Sequence, residues 1–170
     1  NNVGECFVDF FAQTFHYHQW VYGDPHPGHF LYLNSGELGV LDFGCARPVE
    51  AERTDLYLQL LQAMWADDGE WMTQIYIDLG FARGEVVMSP DALLEFNRIA
   101  LAPFVDEGPF DWGAWVFRNE FQGFMLRHPE FLRFTPAADD LLYLRMVSGL
   151  RGMLQDAGVV LDVRQHAERL

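Results

Sequence analysis

The first residues of the chain place apolar side chains at the spacing of an amphipathic helix. Val3, Phe7 and Phe10 recur at intervals of three and four residues, which puts them on one helix face. The pattern predicts a helix over residues 1–21. The Gly- and Pro-rich stretch 23–28 ends it, because proline cannot donate the helical hydrogen bond.

Two short apolar runs follow and have the features of a β-hairpin. His29 to Leu33 and Leu38 to Asp42 are separated by the turn residues Asn34 to Glu37. Asp24 precedes the first strand, and Asp42 ends the second strand. Pairing of the two strands therefore predicts that both carboxylates lie at the same end of the hairpin.

The hydrophobic period becomes helical after the hairpin and stays so to the end of the chain. We find no internal repeat and no linker, so the pattern predicts a single domain over residues 1–170 of a mainly helical α+β class with one hairpin. The predicted helices are Glu50 to Ala66, Gly69 to Leu79, Pro90 to Phe104, Trp112 to Arg127, Pro136 to Ala157 and a short one from Asp162. The stretch Gly84 to Pro90 is among the predicted breaks.

Composition and charge exclude several classes of protein. The chain has 170 residues with 11 Lys+Arg against 25 Asp+Glu, a net charge of −14, and its cations are scattered, which argues against a nucleic-acid partner. A hydrophobic fraction of 50% excludes a disordered acidic protein. Two cysteines and no signal peptide favour a cytoplasmic location. No apolar run reaches the roughly 18 residues of a membrane span.

Two acidic residues lie in backbone that is suited to phosphoryl transfer. Asp24 lies in the Pro- and Gly-stiffened loop VYGDPHPGH, and Asp42 opens the tight turn DFG. One carboxylate at a strand end can hold Mg²⁺ on nucleotide phosphates, while a second orients or deprotonates the attacking hydroxyl. Both need rigid backbone, because positioning supplies most of the catalysis in this chemistry.

The combination of GDPHPGH and LDFG resembles the catalytic and metal-binding loops of the UbiB/AarF (ADCK-type) atypical kinases, a branch of the protein-kinase-like superfamily. The resemblance implies ATP and Mg²⁺ as cofactors and a link to isoprenoid-lipid or quinone metabolism. It implies catalytic roles for Asp24 and His26. It also implies that Asp24, His29, Asp42 and Gly44 contact the cofactor, with Asp42 and His29 as the metal ligands.

A late segment, Leu142 to Gly152, resembles the family's helix with an arginine near its start, here Arg145. Two features depart from the family pattern. His29 stands where the family has an asparagine ligand, and imidazole nitrogen is a softer ligand for Mg²⁺ than an amide oxygen. The chain also has no lysine, no glycine-rich loop before Asp24 and no initial Met.

We therefore expect the C-terminal lobe of a kinase-like fold, without the N-terminal lobe that anchors the nucleotide, and inactive in isolation. The expected partners are a nucleotide, the N-terminal lobe, and an isoprenoid lipid or a membrane surface contacted peripherally, but not nucleic acid. An exposed apolar face is expected where the N-terminal lobe docks.

Other functions stay open at this point. One is a pseudokinase that binds without catalysing, and another is a small-molecule phosphotransferase of the aminoglycoside or choline type. A transition-metal site built from His16, His18, His26, His29 and Asp24 is a further alternative. Against it, His16 and His18 point about 200° apart on a helix.

Overall fold

The computed structural model describes residues 2–81 and 88–169, which form seven α-helices and six short strands. The helices are Asn2–Ala12 (α1), Ala51–Trp65 (α2), Gly69–Asp78 (α3), Pro90–Ala100 (α4), Phe117–Arg127 (α5), Leu141–Asp156 (α6) and Arg164–Ala167 (α7). The strands are Trp20–Tyr22 (β1), Phe30–Tyr32 (β2), Leu38–Val40 (β3), Ala46–Pro48 (β4), Phe110–Asp111 (β5) and Val160–Leu161 (β6). The predicted mainly helical α+β class is confirmed. Among the described residues, no helix is long and apolar enough to cross a bilayer.

The strands form three antiparallel pairs, β1 with β4, β2 with β3 and β5 with β6. In the second pair Phe30 lies opposite Val40 and Tyr32 opposite Leu38, so a hairpin forms where the sequence predicts one. The first pair, in which Tyr22 lies opposite Ala46, encloses that hairpin in sequence. The chain between β1 and β4 therefore begins and ends at the same strand pair. Both predicted acidic residues, Asp24 and Asp42, lie in this segment.

The described residues divide into two compact units. The first contains residues 2–54, 107–115 and 139–169, and the second contains residues 55–81, 88–106 and 116–138. The first unit carries both acidic loops, the hairpin and α6. The second is built from α3, α4, α5 and most of α2.

Aromatic side chains form the core of the first unit beneath the hairpin. Phe11 and Phe15 are each 2% exposed, and Tyr22 is 1% exposed. The rings of Phe10, Tyr22 and Phe30 meet edge-on or tilted, with centroids 5.6 to 5.9 Å apart. The loops that carry Asp24 and Asp42 therefore lie next to a closely packed aromatic core.

In the second unit, the buried core centres on Tyr76 and Asn97. The Tyr76 hydroxyl donates to Asn97 Oδ1 over 3.0 Å, and Asn97 Nδ2 donates to the Leu93 carbonyl over 2.9 Å. Burial raises the pKa of Tyr76 well above its ordinary value, although the Asn97 hydrogen bond opposes the shift. Every polar atom in this pair thus has a partner, which removes the usual penalty for burying it.

The first helix is shorter than the sequence predicts. It ends at Ala12, a π-helical segment follows over Gln13–Tyr17, and Gln19 takes a left-handed φ of 56°. The wider π turn directs Phe15 into the core, where its ring lies 4.7 Å from that of Tyr143. Trp20 and Val21, predicted as helix, belong instead to the strand β1, Trp20–Tyr22.

Three later helix boundaries also differ from the prediction. The predicted helix Pro90 to Phe104 ends at Ala100, ahead of Pro103, which lacks the donor needed to continue it. The helix predicted from Trp112 begins at Phe117, because Trp112 and Trp115 pack as an aromatic pair 5.7 Å apart beside β5. The helix predicted from Pro136 begins at Leu141. Most of the predicted break Gly84 to Pro90 lies outside the described residues.

Candidate functional site

The loop after β1 is held tightly where it leaves the strand. The Gly23 amide donates to the Cys45 carbonyl over 3.1 Å. A Cβ at position 23 would lie 2.8 Å from Leu142 Cδ2 and 3.0 Å from that same carbonyl oxygen. A larger residue here would have to displace Leu142 or crowd the Cys45 carbonyl, so the backbone before Asp24 is closely packed.

One face of α6 contacts this loop at successive residues. Arg145 Nη2 forms an ion pair with Asp24 Oδ1. One helical turn later, a Cβ at Gly149 would lie 2.9 Å from the Pro25 carbonyl oxygen, so the backbones touch here. Leu142, Arg145 and Gly149 share a face because they are spaced by three and four residues. Helix α6 therefore fixes the position of the loop and the orientation of the Asp24 carboxylate.

An ion pair with a fully buried carboxylate lies at the start of α6. Arg53 Nη1 donates to Asp140 Oδ1 over 2.7 Å, and Asp140 is 0% exposed. Breaking a buried pair by removing one partner costs about 3–5 kcal/mol, because the other charge is left without compensation. The helix that carries Arg145 is thus anchored at its N-terminal end.

His26 orients the loop through its own backbone. Its Nδ1 accepts a hydrogen bond from the Gly28 amide over 3.0 Å and caps the 3₁₀ turn Pro27–His29. The ring centroids of His26 and His29 are 5.4 Å apart. The catalytic role predicted for His26 stays a prediction, and the contact the structure places there is an orienting one.

His29 lies between the two acidic side chains. Its Nδ1 is 3.2 Å from the Asp24 carbonyl oxygen and 3.7 Å from Asp24 Oδ2. Its Nε2 is 3.9 Å from Asp42 Oδ2. The side chains of His29, Asp24 and Asp42 are 25%, 32% and 55% exposed, which leaves the group open to a ligand.

Asp42 is held at two of its oxygen atoms. Its Oδ1 accepts from the Gly44 amide over 2.7 Å, and its carbonyl accepts from the Tyr22 hydroxyl over 2.5 Å. Burial, followed by the charges of Asp42 and Asp24, raises the pKa of Tyr22, so this phenol stays protonated and donates. Oδ2 is left facing His29.

The structure thus brings Asp24, His29 and Asp42 together and places Gly44 as a backbone donor to Asp42. Sequence reasoning singled out Arg145 only by resemblance and missed its ion pair with Asp24, 121 residues away. It also missed the hydrogen bond from Tyr22. No short-range pattern signals either contact, because both depend on how the chain folds back on itself.

The donor set fits a divalent cation that arrives on phosphates. Mg²⁺ sites of this kind use one or two protein ligands and take their remaining oxygens from phosphate and water. Asp42 Oδ2 supplies one such ligand, whereas the His29 nitrogen is unusual for Mg²⁺. No group of three or more His, Cys, Asp or Glu side chains suited to a metal occurs within residues 2–81 and 88–169.

Comparison with known proteins supplies independent evidence. The family model of the ABC1 atypical kinase-like domain matches residues 1–76. The protein "Atypical kinase COQ8B, mitochondrial" of Rattus norvegicus is 34% identical over 110 residues, which cover 62% of this chain and 21% of that protein. The solved complex of Rv3197 with erythromycin from Mycobacterium tuberculosis superposes with a TM-score of 0.74 at 16% identity, covering 99% of this chain and 42% of that one.

Residues 1–76 match an atypical kinase-like domain, and the chain shares the fold of the solved structure. The resemblance to the UbiB/AarF (ADCK-type) family carried by the loops of Asp24 and Asp42 is confirmed. The chain spans about a fifth of the length of this curated relative, 21%. The solved structure, at 16% identity, supports the fold alone.

Proposed function

We propose that this chain is the C-terminal lobe of an ATP- and Mg²⁺-dependent atypical kinase or ATPase, and that it holds the metal and orients the reacting groups. The observation that carries the proposal is the position of His29 between the carboxylates of Asp24 and Asp42. The match of residues 1–76 to an atypical kinase-like domain gives this arrangement its context.

Each member of the site has a distinct task in this proposal. Asp42 Oδ2 and His29 Nε2 hold the cation, and Gly44 fixes the orientation of the Asp42 carboxylate. A bound cation neutralises the phosphate charge and aligns the transferring phosphoryl group. Asp24 orients the attacking oxygen, while Arg145 fixes the carboxylate at its Oδ1 atom. Positioning of this kind supplies most of the rate enhancement in phosphoryl transfer.

An apolar surface beside the site supports a partner lobe. Leu41 and Phe43 flank Asp42 and are 59% and 60% exposed, and the strand side chains Leu31 and Tyr32 are 49% and 42% exposed. Exposed apolar patches of this kind mark interaction surfaces. We assign this surface to the lobe that anchors the nucleotide in the complete protein.

The wider setting is also part of the proposal. A link to isoprenoid lipids or quinones, with peripheral contact to a membrane, follows from the family resemblance. The cytoplasmic location stays a prediction, and the curated relative from Rattus norvegicus is named as mitochondrial.

A second candidate function is a pseudokinase that binds nucleotide without turning it over. One observation favours it: His29 supplies nitrogen where Mg²⁺ prefers oxygen. The two functions differ in one measurable respect. The kinase or ATPase turns ATP over, whereas the pseudokinase only binds it.

The test replaces the proposed metal ligand in the full-length protein. In Asp42→Ala we expect loss of ATP turnover and at least a tenfold weaker binding of Mg²⁺–ATP, which is about 1.4 kcal/mol. Asp68→Ala is a matched control, because Asp68 also accepts a backbone hydrogen bond, from Trp71 in the second unit. The control should lose some stability but keep nucleotide binding.

Three results are decisive. Unchanged turnover and binding in Asp42→Ala contradict the proposed function. Binding that depends on Asp42, without turnover in the unsubstituted protein, favours the pseudokinase. A gain of turnover in His29→Asn identifies His29 as the residue that limits activity.

A further inference from the structure

The hydrogen bond made by His29 fixes which of its ring nitrogens carries a proton. Nδ1 lies 3.2 Å from the carbonyl oxygen of Asp24. A carbonyl only accepts, so Nδ1 is the donor. In the neutral ring, the other nitrogen, Nε2, then presents a lone pair.

That lone pair faces a second electron-rich atom. Nε2 lies 3.9 Å from Asp42 Oδ2, while the other carboxylate oxygen of Asp42 is already used by the Gly44 amide. A cation that both atoms bind would lie between the Nε2 lone pair and Asp42 Oδ2.

The surroundings of His29 match those of a metal ligand. Imidazoles that bind metals nearly always donate their other N–H to a carboxylate or a backbone carbonyl, which orients the ring and makes it a better donor to the metal. Here the Asp24 carbonyl accepts the hydrogen bond from His29 Nδ1. Asp24 itself does not compete for the ion through Oδ1, because Arg145 is paired with that atom.

The resulting donor set is one carboxylate and one imidazole. Mg²⁺ demands oxygen ligands in near-ideal octahedral geometry, whereas first-row transition metals accept imidazole nitrogen. We propose that the cation site formed by Asp42 and His29 prefers a transition-metal dication such as Mn²⁺ to Mg²⁺. The inference rests on the proposed function, since the phosphates of the nucleotide complete the coordination.

The test uses Mn²⁺ as a spectroscopic probe in the full-length protein with ATP. Pulsed electron paramagnetic resonance should detect coupling of bound Mn²⁺ to a histidine nitrogen, and the coupling should change when histidine carries ¹⁵N. In His29→Asn we expect that coupling to vanish and the ratio of Mn²⁺ to Mg²⁺ affinity to fall about tenfold. His18→Asn is the matched control, because His18 is exposed and bonded through its backbone to Gln13.

Failure of this inference is distinguishable from failure of the proposed function. Mn²⁺ binding that requires Asp42 but lacks nitrogen coupling overturns the inference and leaves the proposed function standing. In that case a proton on His29 Nε2, and not a metal ion, lies between His29 and Asp42. An affinity ratio that is unchanged in both His29→Asn and His29→Gln also overturns it. Binding of either metal that is indifferent to Asp42→Ala overturns both. The measurement on the unsubstituted protein stands even where a variant fails to fold.

Discussion

At the scale of single residues, the site depends on side chains that touch no proposed ligand. Tyr22 is 1% exposed, and its hydroxyl holds the Asp42 carbonyl at 2.5 Å. A buried phenol without a partner would be costly, so this bond both satisfies Tyr22 and fixes the backbone that carries the metal ligand. Tyr22 thus connects the aromatic core to Asp42, the proposed metal ligand.

The first prediction concerns Tyr22→Phe and its dependence on pH. Burial and the nearby carboxylates raise the pKa of Tyr22 above its ordinary value of 10.0. The folded state therefore holds the phenolic proton more tightly, and the resulting stability is complete below about pH 10 and lost as the pH rises through the folded-state pKa. The variant should be about 0.5–1.5 kcal/mol less stable at neutral pH and lose less stability above pH 10.

Urea unfolding of the variant and the unsubstituted protein, at neutral pH and over an alkaline series, checks this prediction. Tyr32→Phe is the control, because the Tyr32 side chain is 42% exposed. Parallel stability curves for Tyr22→Phe and the unsubstituted protein would show that the Tyr22 phenol does not respond to its surroundings as described.

The sequence identifies the site residues to different degrees at this scale. Asp24, His29 and Asp42 lie in two contiguous motifs with a hairpin between them, so their proximity follows from local pairing. The ion pair from Arg145 does not follow, because its partner is 121 residues away and the contact depends on how α6 packs. Local chemistry is predictable here, whereas long-range contacts are not.

At the scale of elements, the helical segments are predicted well except where tertiary contacts decide their ends. The predicted bounds of α2 and α3 agree with the structure to within one residue at each end. The end of α1 does not, since periodicity does not reveal that Trp20–Tyr22 pairs with Ala46–Pro48. Pairing with a distant strand overrides helical periodicity in that segment.

Two glycines in α6 provide the second prediction. At Gly149, an added Cβ would lie 2.9 Å from the Pro25 carbonyl oxygen, while at Gly152 nothing lies within 4 Å. Alanine is favoured over glycine in helices by about 0.5–1 kcal/mol. We expect Gly152→Ala to stabilise the protein by that amount. Gly149→Ala should destabilise it by about 1–3 kcal/mol, because the loop of Asp24 has to move.

Denaturant unfolding of the two variants, with Mg²⁺–ATP and Mn²⁺–ATP binding measured in parallel, checks the prediction. Gly152→Ala is the matched control, since both changes are the same and lie on one helix. Loss of binding in Gly149→Ala alone would tie the loop position to the site. Equal stabilisation by both variants would mean that α6 does not set the position of the loop.

At the scale of the whole molecule, the balance of charge is the dominant feature. The chain carries 25 acidic against 11 basic residues, a net charge of −14. Exposed ion pairs such as Arg98 with Asp67 and Arg127 with Glu95 do little to offset the repulsion among the acidic residues. Each contributes only about 0–1 kcal/mol to the stability of the folded state. Repulsion among the remaining carboxylates therefore weakens the compact state.

The third prediction follows from that repulsion. Raising the ionic strength from about 0.01 M to 0.15 M shortens the Debye length from about 30 Å to 8 Å, so distant carboxylates no longer repel one another. We expect the free energy of unfolding in urea to increase over this range with NaCl, and to change far less with an uncharged osmolyte at matched osmolality. A decrease with salt would mean that attractive pairs such as Arg127 with Glu95 outweigh the net charge.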